Sequence, residues 1–257
     1  MTDILMVALA PTLFITVLLM MELGYRYRLA SHLPNDSETN AGVGPAIGTV
    51  LALMGLVLAF SFSSAAARLD AARRTILDEA NAIETAWLRL DLAEPSAQPR
   101  LRVLFRQYVD SRISGYSSPE LREYHQRAKI SGGLMRQIWA LAVEATPPSH
   151  PEDRLLLLPA LNAMSDGASA RTISVSTHLP PAILTFLFGT VFIGSMLIGT
   201  LLACAGRRHW FYRLVIAMVL SSVVYAIVDM EYPRLGAFNL LKNADSLLVN
   251  FRDSIKP

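Results

Sequence analysis

The sequence predicts an all-α integral membrane protein, with four transmembrane helices and a large helical insert between the second and the third. Three observations carry that expectation. Of 257 residues, 53% are hydrophobic and only 17% charged, against roughly 25% charged in a soluble domain. Uncharged runs at residues 4–21, 43–67 and 179–206 approach or exceed the ~20 residues that cross a bilayer core of about 30 Å. Residues 68–178, between the second run and the third, hold 14 of the 23 basic and 13 of the 21 acidic side chains. They show no sustained alternation of the kind a strand needs, so the insert is expected to be water-facing and helical.

The first run lacks the basic leader and short apolar core of a signal peptide, its only early charge being Asp3, and it reads as a retained helix. Pro11 lies inside it, where a mild kink is expected. The second span is placed at 43–64 and the third at 181–205. The fourth run, 214–228, is short. Extended back to Phe211 it reaches membrane length and takes in Arg213, whose stem is expected to snorkel to the interface beside Trp210, Phe211 and Tyr212. The segments are thus 1–67, a first membrane hairpin; 68–178, the helical domain; 179–230, a second hairpin; and 231–257, a C-terminal segment.

No Gly or Pro interrupts residues 56–94, so the second span is expected to continue beyond the membrane as one helix of some 40 residues, roughly 60 Å long. Ile76, Ala80, Ile83, Trp87 and Leu90 give it an inner face. Asp70, Arg73, Arg74, Asp78, Glu79, Glu84 and Arg89 are expected to occupy much of the remainder. A turn is expected at 94–99. A second helix follows with Leu101, Leu104, Phe105, Tyr108 and Ile113 inward, ending at Gly115. A third is capped by Ser118, Pro119 and Glu120, with Leu121, Tyr124 and Ala128 inward. It is loosened at Ser131, Gly132 and Gly133 before Leu134, Ile138, Leu141 and Ala142. Pro147, Pro148 and Pro151 force a loop, and Leu155, Leu158, Leu161 and Met164 line a fourth helix. Lys and Arg near the span ends divide almost evenly between the two sides and only slightly favour a cytoplasmic insert.

A net charge of +2 gives no footprint for nucleic acid. The one cysteine, Cys204, excludes an intrachain disulfide and reads as packing. Glu79, Asn81 and Glu84 have no histidine at metal spacing beside them, and no serine nucleophile elbow or phosphate-binding loop occurs. No metal site, cofactor or enzymatic activity is expected.

Three stretches resemble a known family. They are Phe60-Ser61-Phe62-Ser63 with Arg68-Leu69-Asp70-Ala71-Ala72-Arg73-Arg74; the long run from Glu79-Ala80-Asn81-Ala82-Ile83-Glu84-Thr85-Ala86-Trp87 to Asp91; and Ile227-Val228-Asp229-Met230-Glu231-Tyr232-Pro233-Arg234-Leu235-Gly236. Together with Trp139 and Leu161-Asn162-Ala163-Met164 they are similar to the bestrophin-like domain family. The resemblance implies a bacterial inner-membrane protein with four spans, and with both termini and the insert in the cytoplasm. More distantly it implies bestrophins, pentameric anion channels whose pore is lined by the second helix. The partners implied are the lipid bilayer, further copies of the chain and inorganic ions. Bestrophins carry an acidic calcium cluster after the fourth span; here that region offers only Asp229 and Glu231, and calcium gating is not carried over.

Candidate site residues follow. Gly44, Gly48, Ala52, Gly55, Ala59 and Ser63 recur at steps of 4, 4, 3, 4 and 4, a small-residue face suited to close helix approach. It packs either against another span of the chain or between subunits. In the second case Leu53, Leu56, Val57 and Phe60 form an apolar constriction that gates by dewetting; Phe62 points elsewhere. Arg68, Arg73 and Arg74 serve either as lipid-interface anchors or as rings that concentrate anions, although Asp70, Asp78, Glu79 and Glu84 share their helix. Asp229 is expected to lock the turn before Pro233 by pairing with Arg234 or Arg171, or to form an ion or gate site with Glu231. The leading expectation is a homo-oligomeric ion channel. The alternative is a membrane-anchored scaffold or sensor whose helical domain binds a partner and conducts nothing.

Overall fold

The computed structural model describes residues 2–31, 37–116, 121–147, 150–177, 180–204, 210–233 and 240–255, and among these there are helices and no strand. In chain order they are α1 (Thr2–Ala30), α2 (Ser37–Arg89) with a 3-10 turn at Leu90–Leu92, α3 (Gln98–Tyr116), α4 (Leu121–Glu144), α5 (Pro151–Ser176), α6 (Pro181–Cys204), α7 (Trp210–Glu231) and α8 (Lys242–Ser254). Four of them, α1, α2, α6 and α7, are long and apolar enough to cross a membrane. The chain forms two compact units, one of residues 1–69 and 179–238, the other of residues 70–178 and 239–257.

In the membrane unit α1, α2, α6 and α7 share a core of Leu13, Val17, Met21, Met54, Leu58, Leu187, Val191, Leu220, Val224 and Ile227. Glycine sets how closely two of these helices approach. A Cβ at Gly24 would strike the carbonyl oxygen of Met196, and one at Gly199 would strike that of Met21. Each glycine on one helix therefore faces bare backbone on the other, and α1 and α6 meet main chain to main chain. Helix α7 ends at Glu231, two residues before Pro233, as the restriction on the residue preceding proline requires.

Arg213 departs from the snorkelling expectation. Its side chain is 2% exposed, its Nη1 lies 2.8 Å from Glu22 and its Nη2 donates to the Met21 carbonyl at 3.2 Å. The guanidinium also sits over the rings of Tyr25 and Trp210. A carboxylate one helix away draws the charge inward, while Trp210, Phe211 and Tyr212 stay exposed.

The helical unit buries a second core. Ile83, Ala86, Trp87 and Leu90 of α2 meet Leu101, Phe105 and Tyr108 of α3, Ile138 and Ala142 of α4, Leu157, Leu161 and Met164 of α5, and Leu248 of α8. The uninterrupted second helix is present, running 53 residues through both apolar and charged sequence. Gly132 and Gly133 do not loosen α4, which continues through them. Ser131 beside them is buried, its hydroxyl 2.6 Å from that of Ser111 and donating to the Arg127 carbonyl, and Met135 and Ile138 are buried beyond. Packing on both sides outweighs the propensity cost of two glycines. Helix α5 keeps Leu161 and Met164 of the expected stripe inward and Leu158 half-buried, but departs from it at Leu155. Leu157, Ala160, Leu161 and Met164 are buried, while Leu155 is 73% exposed. The expected cap at Ser118, Pro119 and Glu120 lies outside the described residues.

Candidate functional site on the second helix

At about 100° per residue, the membrane length of α2 divides into three sides. Ile47, Met54, Leu58, Ala65 and Leu69 are buried within the membrane unit. A third of a turn away lie Gly44, Gly48, Ala52, Gly55, Ala59 and Ser63; Gly44 is half-buried and the other five are exposed. A Cβ added at Gly44, Gly48 or Gly55 would meet nothing within 4 Å, so among the described residues no other span packs against these glycines. The last third carries Leu53, Leu56 and Phe60, exposed by 57%, 51% and 67%, with Val57 half-buried at its edge. Phe62 projects from another side and is also exposed.

The bare glycines are informative by contrast. Gly24 and Gly199 face backbone inside the chain, and a Cβ at Gly194 would collide with the Met54 sulfur. Elsewhere in the spans Gly189 on α6 alone among the described glycines is also bare, and the uncovered sides carry bulky residues: Ile15, Leu19 and Leu23 on α1, Ile183, Phe186 and Ile193 on α6, Leu214, Met218 and Val219 on α7. Bulky apolar side chains suit lipid. A glycine stripe with open space before it suits the close approach of another helix.

The charged candidates separate into pairs. Arg68 and Glu231 come together, Nε to Oε2 at 2.9 Å with the carboxylate side chain 2% exposed, and Arg68 also donates to the Ser64 hydroxyl at 3.1 Å. Arg74 pairs loosely with Asp70 at 3.4 Å, both side chains open to solvent. Arg73 donates to the Leu240 carbonyl at 3.3 Å. Asp229 is buried, with the Tyr225 hydroxyl 3.5 Å away. Of its two expected partners, Arg234 lies outside the described residues, and Arg171 is bound within the helical unit. Cys204 is half-buried and accepts a hydrogen bond from Arg28 Nε at 3.3 Å.

The strongest polar feature of the chain is one that the sequence reading placed on the surface. Glu79 is fully buried among the helices of the helical unit. Arg112 Nε donates to its Oε1 at 2.7 Å, Arg171 Nη1 to its Oε2 at 3.0 Å, and the Tyr116 hydroxyl lies 2.7 and 2.6 Å from the two oxygens. Arg171 also pairs with Asp245 of α8 and lies over the Tyr116 ring. The crossing is close: a Cβ at Gly167 of α5 would lie 3.1 Å from Glu79 Cα. Burial pushes the Tyr116 phenol well up, Glu79 adds to the rise, and Arg171 and Arg112 offset part of it. Burial likewise raises Tyr108, against Arg112. For Arg112 burial acts to lower the value, but Tyr116 and Glu79 outweigh it and hold the guanidinium above its usual range. Two carboxylates and two guanidiniums thus tie α2, α3, α5 and α8 together. Among the described residues no three His, Cys, Asp or Glu side chains gather closely enough to hold a metal.

No curated protein sequence matches the chain. Among solved structures, a bacterial bestrophin homologue from Klebsiella pneumoniae is similar at 14% identity and a TM-score of 0.59, covering 96% of this chain and 98% of the other. An aspartate-to-alanine variant of a bestrophin homologue from the same organism gives 0.60 at 14% identity, with 96% and 98% covered. A membrane protein solved as a glycine-to-alanine variant gives 0.62 at 15% identity, covering 93% and 98%. These likenesses concern the fold. The same order of spans, long second helix and helical insert falls within residues 13–244, which match the bestrophin-like domain. The chain therefore belongs to the bestrophin-like domain family.

Proposed function

We propose that the chain assembles with copies of itself into an ion channel in which α2 lines the conduction axis. The observation that carries this reading is the state of α2 in the single chain. One side is packed, the glycine face is bare, and Leu53, Leu56 and Phe60 stand uncovered on the third side. A helix wedged between a neighbouring copy and a central axis needs that arrangement: small residues where backbones approach, and apolar side chains where a constriction dewets. The pentameric anion channels that the family resembles favour anions as cargo and five copies as the assembly. They also favour placing the helical unit, with both termini, in the cytoplasm.

Flux through liposomes reconstituted with purified protein tests the proposal. Chloride or potassium flux is expected, and it should rise in Phe60→Ala. If neither ion moves in wild type or variant while the oligomer stays intact, conduction is lost as a reading and a non-conducting scaffold takes its place.

A further inference from the structure

The helical unit holds a cleft of about 290 Å³ between α2 and α5, and its two walls differ in chemistry. From α2 come Asn81, Thr85 and Arg89, spaced by fours on one side of the helix, with Ala82 beside them; from α5 come Pro159, Ala160 and Ala163. One wall carries an amide, a hydroxyl and a cation around Ala82, and the other is small and apolar. Among the described contacts Asn81 and Thr85 make no side-chain hydrogen bond, and Arg89 makes one. Arg89 donates to the Leu156 carbonyl at 2.7 Å, a neutral acceptor that leaves its charge without a carboxylate among the described residues. Thr12, Thr16, Thr49, Thr75, Thr146, Thr172, Thr185 and Thr190 each donate to the carbonyl four residues back. Thr85, equally helical, makes no such bond among the described contacts, and it is one of the residues that line the cleft.

We infer that this cleft is a binding site for a small organic monocarboxylate. Arg89 and Thr85 receive the carboxylate as a charge-assisted pair of donors, and Asn81 supplies a further amide donor. Pro159, Ala160 and Ala163 leave room for a short hydrocarbon chain and give it apolar surface to cover. A bare halide would fill a small part of the space and leave that wall wet. The site lies wholly within the helical unit, and its occupancy does not depend on whether the protein conducts.

Saturation-transfer NMR on the full-length protein in lipid nanodiscs tests this, with empty nanodiscs as control and acetate, propionate and butyrate as probes. Butyrate should bind, and affinity should rise along the series, by about fourfold for each methylene fully buried. Arg89→Gln should weaken butyrate by about tenfold or more. Ala163→Leu, which fills the cleft from the apolar wall and leaves Arg89 untouched, should abolish binding. Absence of saturation transfer above the control overturns the inference, as does binding indifferent to both substitutions. Displacement of butyrate by chloride at equal concentration would make this an inorganic-anion site and overturn the organic assignment.

Discussion

Glu79 shows how much one side chain can settle. Removing one member of a buried ion-paired cluster leaves its partners charged and unmatched, which costs about 3–5 kcal/mol. Glu79→Ala strands Arg112 and leaves Arg171 with Asp245 alone, and should therefore lower the stability of the helical unit by that order, read as loss of helical circular dichroism at a lower denaturant midpoint. An unchanged midpoint would mean that the cluster contributes no net stability. The buried phenols add a pH signature. Tyr116 and Tyr108 keep their protons in the folded chain to higher pH than in the unfolded one, where a tyrosine titrates near 10. Their contribution is complete below about pH 10 and is lost as pH rises through the raised folded values, with a slope of up to about 1.4 kcal/mol per pH unit for each tyrosine. Tyr116→Phe should make that alkaline decline shallower. If the slope stays the same, Tyr116 is not the group responsible. The signal for this cluster was present in the sequence. Positions 76, 79, 83, 86 and 90 are as regular a helical stripe as 76, 80, 83, 87 and 90, and Arg112 continues the inward series Leu101, Phe105 and Tyr108. A charge in such a series reads as solvated until its opposite is seen beside it, and Glu79 and Arg171 lie 92 residues apart.

At the scale of elements, two kinds of glycine in the same membrane unit make opposite predictions. Gly199→Ala places a Cβ against the Met21 carbonyl, where flexible side-chain movement cannot relieve it. It should push α1 and α6 apart and destabilise the unit by about 1–3 kcal/mol. Gly48→Ala meets open space and should leave the isolated chain unaffected, or slightly steadier through better helix propensity. Equal thermal midpoints for the two variants in detergent would contradict this assignment of the α1–α6 contact. Which elements exist was legible: four apolar runs, an unbroken second helix, and breaks before α3 and α5. Which side faces inward was less so. The run Leu155 to Leu158 is apolar at every position and carries no phase, so the choice between Leu155 and Leu157 fell to the neighbours of α5. Helix α8 was passed over although Leu241, Leu248, Phe251 and Ile255 recur at steps of 7, 3 and 4. It is short, and it lies within the C-terminal segment 231–257, for which no element is expected.

At the scale of the whole molecule, the family and the four spans were readable from sequence, while the division of labour on α2 needed coordinates. A stripe of glycines says only that something approaches closely, and among the described residues nothing approaches Gly44, Gly48 or Gly55. On the proposed reading a second copy fills that space, and two kinds of substitution on adjacent faces separate assembly from conduction. Gly48→Leu or Gly55→Leu sets a four-carbon side chain where backbones are to meet, so it should shift the purified protein from oligomer to monomer in size-exclusion chromatography with light scattering. The monomer itself should remain folded, because the space before each glycine is open within the chain. Phe60→Ala should behave in the reverse way. Its ring is 67% exposed, so truncation takes little from the fold or the oligomer, yet it removes the bulk that narrows an axis and should raise conductance. If Phe60→Ala instead dissolved the oligomer while Gly48→Leu left it whole, the faces would be exchanged: the aromatic side would be the subunit contact, and the glycine stripe would line the axis, a wide polar-backbone path rather than a dewetting gate.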